Sequence, residues 1–128
     1  MKLVDTVALI GYLNPRDREH RRSVHHMERV ASDEEVFVPV TSLVEADLVM
    51  KVRGYSDSER ETSWGALESA VPRAKVVSNT VSSVRAAVEL QRTGMDYFDS
   101  LIAALAKEAG SRVITTDASI KDIVETEW

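Results

Sequence analysis

The stretch Met1-Lys-Leu-Val-Asp-Thr-Val-Ala-Leu9 joins a short apolar run to a helical pattern at a single carboxylate, Asp5. Residues 2–4 have the composition of a short buried strand. Residues 6–13 carry apolar side chains at helical spacing, and Pro15 then favours an end to the helix. A strand that leads directly into a helix predicts a β-α unit, in which Asp5 ends the strand and caps the helix.

The same alternation of short apolar runs and helical patterns continues along all 128 residues. It predicts an α/β fold in which helices cover both faces of a central parallel sheet. No repeat, low-complexity tract or linker interrupts the pattern, so we expect one domain over residues 1–128. The predicted strands cover residues 2–4, 36–40, 74–77 and 112–115, and the predicted helices cover 6–13, 18–31, 41–53, 56–70, 80–91, 96–109 and 117–124.

Most of these helical patterns carry an apolar face. The helix over 56–70 has a weak apolar face and is expected at the periphery, while residues 125–128 give no structural signal. Two of the apolar faces consist of Leu43, Val44, Leu48, Val49 and Val52 in the helix over 41–53, and of Val81, Val84, Ala87, Val88 and Leu90 in the helix over 80–91.

Composition and charge limit the functional classes. The chain has no cysteine, which leaves oxygen atoms and three histidines as candidate metal ligands. Its formal net charge of −5 is unlike that of a protein that binds nucleic acid by charge alone. Asp5 interrupts the first apolar run, and no window approaches the roughly 20 apolar residues of a membrane span. We therefore expect a cytoplasmic protein with no membrane partner.

Four acids stand where a predicted helix begins. Each has an ordinary explanation when taken alone: as a helix N-cap, as half of a capping box with Ser42, or as an anion at the positive end of a helix. The four are Asp5, Glu45 in Ser42-Leu-Val-Glu45, Asp99 in Asp96-Tyr-Phe-Asp99, and Asp117 in Thr115-Thr-Asp117.

Taken together, the four acids predict a metal site. Parallel strands end at the same edge of a sheet, so topology alone draws Asp5, Glu45 and Asp117 together. Asp99 joins them if its helix begins at that edge, which periodicity does not decide. Carboxylates this close repel each other and take up protons unless a cation lies among them. Hard oxygen ligands without cysteine suit Mg²⁺ or Mn²⁺.

Four segments resemble the acidic motifs of PIN-domain ribonucleases, and most closely those of the VapC toxins of toxin–antitoxin pairs. The order, spacing and total length agree over essentially the whole chain, and one departure is Val7, where many members have serine. The resemblance implies a PIN-like domain with strand order 3-2-1-4, metal-dependent cleavage of RNA, a homodimer and a cognate antitoxin. The segments are Val4-Asp-Thr-Val-Ala-Leu-Ile10, Ser42-Leu-Val-Glu45, Asp99-Ser-Leu-Ile-Ala-Ala104 and Ile114-Thr-Thr-Asp117.

The resemblance also implies roles for single residues. Asp5 and Asp99 would hold Mg²⁺ or Mn²⁺ most directly, while Glu45 and Asp117 would complete its shell and position the attacking water, with Asp117 acting through water. Three further residues are secondary candidates. Thr6 and Thr116 flank the acids and are placed to hydrogen-bond them or a phosphate, and Asp96 is either an additional acid around the metal or only the cap of its helix.

A basic stripe runs along the predicted helix 18–31 at spacings of three or four residues. It is either a solvated face or a rim that meets RNA phosphates or an acidic partner chain. The groove between the first two helices, beside this stripe, is a candidate dock for an acidic or amphipathic antitoxin segment. We interpret the three histidines, His20, His25 and His26, as surface residues. The stripe consists of Arg18, Arg21, Arg22, His25 and Arg29.

Three other functions remain open. The chain could be a catalytically silent PIN-like module that binds RNA or protein, although the intact acidic quartet argues against it. It could also be a housekeeping PIN ribonuclease outside a toxin pair. A phosphoacceptor receiver domain usually has paired acids early and a lysine after a late strand, whereas this chain has a single Asp5 and Thr115-Thr-Asp117 at those points.

Overall fold

The computed structural model describes all 128 residues and shows a five-stranded parallel sheet in the order β3-β2-β1-β4-β5. The predicted α/β class and the order 3-2-1-4 are therefore confirmed, with one further strand at the edge. None of the helices is long and apolar enough to cross a membrane. The strands are β1 (Lys2–Val4), β2 (Val36–Pro39), β3 (Val76–Val77), β4 (Arg112–Ile114) and β5 (Thr126–Glu127). The helices are α1 (Thr6–Leu13), α2 (His20–Ser32), α3 (Val40–Val52), α4 (Asp57–Ala70), α5 (Val81–Arg92), α6 (Tyr97–Ala109) and α7 (Ala118–Lys121), and a 3-10 turn covers Arg73–Lys75.

Strand β1 lies at the centre of the sheet, and its side chains alternate between two cores. Val4 packs with Leu9 and other residues beneath α1 to α4. Leu3 points to the opposite face and packs with Ile102 and Val113 beneath α6 and α7. Because both faces are covered, Leu3 and Val4 of β1 are both apolar and fully buried.

The parallel arrangement places several helix starts at one edge of the sheet. Asp5 follows β1 and caps α1, α3 begins directly after β2, and Asp117 follows β4 and caps α7. The first turn of α6 reaches the same edge, because the hydroxyl of Ser119 lies 3.4 Å from the carboxylate of Asp99. The carboxyl edge of the sheet thus collects all four acids.

Helix α4 is peripheral, as its weak apolar face predicts, and buries only Leu67. Polar contacts hold it to α3. Arg60 donates from Nε and Nη2 to the two oxygens of Asp47, at 3.1 and 2.6 Å, and Trp64 Nε1 donates to the same carboxylate at 2.8 Å. A two-pronged arginine–carboxylate pair fixes both distance and orientation.

The apolar faces predicted for α3 and α5 are only partly buried. In α3 the fully or nearly fully buried side chains are Ser42, Ala46 and Met50, two of which are small and let the helix approach the sheet closely. Most of the valines in the predicted faces, and Leu48, face outward. Their exposed fractions are 54% for Val44, 46% for Leu48, 77% for Val52, 90% for Val81, 44% for Val84 and 45% for Val88.

Residues near the C-terminus, which give no signal in the sequence, form β5 and an aromatic contact with α2. The N–H of Thr115 donates to the carbonyl of Glu127 at 3.0 Å, which aligns β5 beside β4. Trp128 then packs against His26, with ring centroids 4.8 Å apart, and donates through Nε1 to Glu19 at 3.0 Å.

The prediction that all three histidines lie at the surface is wrong for His26. Its side chain is only 4% exposed, and neither ring nitrogen has a hydrogen-bond partner. Burial, together with the positive charge of Arg29, lowers the pKa of His26 to about 4. The ring is therefore neutral near pH 7 and belongs to the packing between α2 and β5.

The basic stripe divides into two parts. Arg22 donates to the carbonyl of Trp128 at 2.6 Å, and Arg29 pairs with Asp33 and Glu127, each at 3.6 Å. These two arginines hold β5 and the following residue against α2. The remaining members, Arg18, Arg21 and His25, are exposed.

Helices α1 and α2 meet in close contact. A Cβ atom built on Gly11 would lie 2.2 Å from the hydroxyl of Ser23, and Nδ1 of His20 lies 2.7 Å from the carbonyl of Gly11. The missing side chain at Gly11 is what lets the two helices approach this closely.

Candidate metal centre

Asp5 is the most buried of the four acids, with 3% of its surface exposed. The N–H of Thr6 donates to Oδ1 at 2.7 Å, and the hydroxyl of Thr115 donates to Oδ2 at 2.6 Å. Burial raises the pKa of Asp5, the two hydrogen bonds lower it, and the charge of Asp117 raises it further; the net direction is upward. Both oxygens are thus held in fixed directions within a poorly solvated site.

Glu45 lies on the first turns of α3, but the predicted capping box with Ser42 does not form. The helix begins at Val40 with Pro39 at the N-cap, so Ser42 and Glu45 lie too far along it for that role. Ser42 instead donates to the carbonyl of Val4 at 2.9 Å, which ties α3 to β1. Glu45 is left to accept a short hydrogen bond from the hydroxyl of Thr6. Burial raises the pKa of Glu45, and the charge of Asp5 adds to that effect.

Asp99 lies one turn into α6, and Asp96 caps that helix. Oδ1 of Asp96 accepts from the N–H groups of Phe98 and Asp99, at 3.1 and 3.4 Å, so Asp96 is the N-cap of α6. Burial, a hydrogen bond with Asp117 and repulsion from Asp117, Asp5 and Asp96 raise the pKa of Asp99 to about 7. The cap therefore also contributes charge to the site.

Asp117 caps α7 and is held in a different way. Its Oδ1 accepts from both the N–H and the hydroxyl of Ser119, at 2.8 and 2.7 Å, and its own N–H donates to the hydroxyl of Thr115 at 3.0 Å. Burial acts to raise the pKa of Asp117, but its hydrogen bonds, chiefly those from Ser119, give a net lowering of the pKa. Asp117 is therefore the more acidic of the two, and Asp99 the more readily protonated.

Three of the acids form a compact set of ligand atoms. Asp5, Glu45 and Asp99 each offer one carboxylate oxygen, and these oxygens all lie within 4.8 Å of one another. Oxygens on opposite sides of a Mg²⁺ bound at about 2.1 Å lie about 4.2 Å apart, so small side-chain movements would close the set around one ion. The raised pKa values of all three have the same cause, crowded and buried negative charge, which a divalent cation would relieve. The donor set fits Mg²⁺ or Mn²⁺.

The structure adds hydroxyl groups that the sequence does not single out. Thr116 is exposed and donates to none of the acids, whereas Thr115 is buried and donates to Asp5. Pairing with β5 continues one residue beyond Ile114, which keeps Thr115 in the sheet and lets Thr116 leave it. Ser119 is the other addition, and only the structure shows that it contacts Asp117.

The family model that describes the PIN domain matches residues 2–125, and the chain belongs to the PIN-domain family. Comparison with curated proteins found no significant sequence match.

Solved structures share the fold at low sequence identity. FitAcB from Neisseria gonorrhoeae is 19% identical with a TM-score of 0.73, over 98% of this chain and 96% of that one. VapBC2 from Rickettsia felis, bound to a DNA fragment from its promoter, is 14% identical with a TM-score of 0.74, over 99% and 98%. VapC20 from Mycobacterium tuberculosis, described as a toxin that cleaves the sarcin-ricin loop, is 16% identical with a TM-score of 0.73, over 95% and 94%.

Proposed function

We propose that the chain is a ribonuclease that depends on Mg²⁺ or Mn²⁺, hydrolyses RNA phosphodiester bonds in the cytoplasm and acts as the toxin of a VapBC-type pair. The observation that carries the proposal is the set of Asp5, which is buried, and Glu45 and Asp99, which are half-buried, whose oxygens lie within 4.8 Å of one another. Membership of the PIN-domain family and the toxins among the solved structures of the same fold support it.

The residues of the site have separate tasks in this proposal. A bound divalent ion lowers the pKa of a water molecule and offsets negative charge on the reacting phosphate. Asp5 holds the ion in a fixed direction, because Thr6 and Thr115 hold both of its oxygens. Asp99 and Glu45 complete the set of direct ligands. Asp117 accepts a hydrogen bond from the attacking water and so orients it towards the phosphate.

Cleavage of RNA with and without metal tests the proposal. The wild-type chain is expected to cleave RNA with Mg²⁺ or Mn²⁺ and to lose activity with EDTA. Asp5→Asn should slow cleavage by about 100-fold or more, since loss of a direct ligand removes several kcal/mol of transition-state stabilisation. Glu34→Gln, an acid-to-amide change at an exposed position outside the site, is the matched control and should cleave normally.

Two results would contradict the ribonuclease. Failure of the wild type to cleave any RNA class with either metal overturns it, and tight RNA binding without cleavage would favour a silent binding module instead. Equal activity of Asp5→Asn and wild type would show that cleavage comes from another site or a contaminant.

We also propose an antitoxin partner, which the toxin–antitoxin assemblies among the similar structures support. An apolar groove of about 610 Å³ lies between α3, α4 and β3, and Leu43, Trp64 and Val76 line it. Glu61 and Glu68 add two negative charges to its walls, and Arg73 adds one positive charge. We therefore place an amphipathic antitoxin segment with basic residues in this groove, rather than an acidic segment beside the basic stripe of α2.

Co-expression with the product of a small adjacent reading frame tests the partner. The complex should form and suppress RNA cleavage, and Glu68→Lys should weaken it by about tenfold or more through like-charge repulsion. Glu34→Lys, at an exposed position that does not line the groove, is the control for the added charge. Equal weakening by both variants would place the partner elsewhere.

A homodimer completes the proposal. Exposed apolar side chains on α3 and α5, including Leu48 and Val88, leave apolar surface of the kind that marks protein interfaces. A second copy of the chain would cover these faces. Sedimentation should give a dimer for the wild type and a monomer for Leu48→Lys with Val88→Lys. Ala66→Lys, on the exposed side of α4, should remain a dimer, and a monomeric wild type contradicts the assignment.

A further inference from the structure

Ser119 lies between two of the four acids and has no role so far except as a hydrogen-bond donor. Its hydroxyl donates to Oδ1 of Asp117 at 2.7 Å and lies 3.4 Å from Oδ2 of Asp99. The side chain is half-buried in the first turn of α7. It is therefore a hydroxyl that contacts both acids at once.

The hydroxyl meets a physical need at this position. It lies between the carboxylates of Asp99 and Asp117, two groups of like charge that repel each other. A serine hydroxyl carries one proton and can rotate to donate it to either neighbour. It can thus hold the two carboxylates at a fixed separation without a change in the backbone.

The backbone cap of α7 does not depend on this side chain. The N–H of Ser119 donates to Oδ1 of Asp117 at 2.8 Å, and any non-proline residue at position 119 supplies that bond. The cap fixes one oxygen of Asp117, but this single hydrogen bond still allows the carboxylate group to rotate. The hydroxyl adds the second donor to the same oxygen, which fixes the carboxylate plane.

We propose that Ser119 is a positioning residue, which holds Asp117 beside the direct ligands Asp5, Glu45 and Asp99 so that Asp117 orients water rather than crowding the metal. The assignment rests on the proposed ribonuclease function. Removal of the hydroxyl leaves Asp117 free to turn towards Asp99. The metal site then becomes less well ordered, and the attacking water loses its fixed acceptor.

Three variants test the assignment. Ser119→Ala removes the hydroxyl, Ser119→Thr restores one, and Ser82→Ala is the matched control. Ser82 occupies the same second helical position, in α5, but it is exposed and forms no side-chain hydrogen bond. For each protein we would measure Mn²⁺ affinity by electron paramagnetic resonance, kcat and KM for RNA cleavage, and the melting temperature.

Loss of a residue that orients metal ligands typically costs about 10- to 100-fold in affinity or activity. We expect Ser119→Ala to weaken Mn²⁺ binding and to lower kcat, each by about tenfold, with KM for RNA and the melting temperature nearly unchanged. Ser119→Thr should recover most of both losses, and Ser82→Ala should match the wild type.

The outcomes separate this assignment from the proposed function. If the wild type binds Mn²⁺ and cleaves RNA, and Ser119→Ala does both equally well, the role of Ser119 is overturned but the ribonuclease is not. A lower melting temperature with unchanged Mn²⁺ affinity also overturns the role of Ser119, since it shows a purely structural side chain. A wild type that neither binds Mn²⁺ nor cleaves RNA overturns the ribonuclease and this assignment with it.

Discussion

The carboxyl edge of the sheet and the contact between α2 and β5 both bury titratable groups, but with opposite consequences. At the edge, burial and mutual repulsion raise the pKa values of Asp5, Glu45 and Asp99. Under α2, burial against Trp128 and the positive charge of Arg29 lower the pKa of His26 to about 4. The first arrangement concentrates negative charge that a cation can neutralise, whereas the second removes a charge so that two rings can pack. Burial of a titratable group therefore indicates a metal site only where several carboxylates converge.

The largest expected effect is the response of the edge to metal and pH. The pKa of Asp99 rises from 3.8 to about 7 on folding, so the folded chain binds this proton more tightly than the unfolded chain. Between these two pKa values, the contribution of Asp99 makes the free energy of unfolding decrease as the pH rises. Mn²⁺ at 100 times its dissociation constant should add about 2.7 kcal/mol to the free energy of unfolding at pH 8. Asp99→Asn should flatten the pH dependence and lose most of the Mn²⁺ effect.

Thermal melts between pH 5 and 8, with Mn²⁺ or EDTA, check this prediction. Glu34→Gln controls for the loss of one negative charge at an exposed position. The prediction is contradicted if, without metal, the wild type and Asp99→Asn are each as stable at pH 8 as at pH 5. That result would show that the carboxylates at the edge do not repel each other strongly.

The next effect concerns α1, which begins at the acid cluster and packs on α2, and so joins the two regions. Gly11→Ala would place a methyl group 2.2 Å from the hydroxyl of Ser23, and the helices would have to separate. We expect a loss of about 1–3 kcal/mol in the free energy of unfolding, as for other overpacked cores. Urea unfolding measures it, and the variant Ser23→Ala with Gly11→Ala should recover part of the loss. An unchanged stability of Gly11→Ala would contradict the close contact.

A third prediction isolates the histidine. Since the pKa of His26 is lowered from 6.5 to about 4, the unfolded chain binds this proton more tightly than the folded chain in that window. Its contribution to stability is complete above pH 6.5 and is lost as the pH falls towards 4. His26→Phe keeps a ring against Trp128 and should reduce the loss of stability on acidification, measured by urea unfolding between pH 4 and 7. His25→Gln, at the exposed neighbouring position, is the control. If His26→Phe loses as much stability on acidification as the wild type, the interpretation is wrong.

The smallest effect is a gain at Gly65, in the middle of α4. A Cβ atom there meets no atom within 4 Å, so alanine adds helix propensity without a clash. We expect Gly65→Ala to raise the free energy of unfolding by about 0.5–1 kcal/mol. The same urea measurement compares it with Gly11→Ala, and two changes of the same sign would refute the contrast between the open and the close-packed glycine.

Much of the fold and of the site follows from local signals. The apolar run before Asp5 is long enough to predict β1, and parallel topology alone brings Asp5, Glu45 and Asp117 to one edge. Strand β5 has only two residues, too few for any period to show. In α3, apolar residues occur on more than one face, so periodicity does not decide which face is buried, and the small Ser42 and Ala46 pack inward.

Two hydroxyl groups of the site, those of Thr115 and Ser119, were beyond prediction for a different reason. Thr115 and Thr116 are identical in type and adjacent, and only pairing with β5 decides which one stays in the sheet. Ser119 acquires its contact with Asp117 from the cap geometry of a four-residue helix. Such details depend on backbone paths that neither composition nor spacing encodes.

The hydrogen bond from Thr115 to Asp5 joins residues 110 positions apart, and β1 pairs with β4 over a similar separation. Contacts of such long range form late and slowly, because a large loop must close before they stabilise the chain. A nascent chain that has not yet emerged beyond β4 contains Asp5, Glu45 and Asp99 but cannot fix Asp5 or supply Asp117. Synthesis order thus delays assembly of the acid cluster until nearly the whole domain has been made.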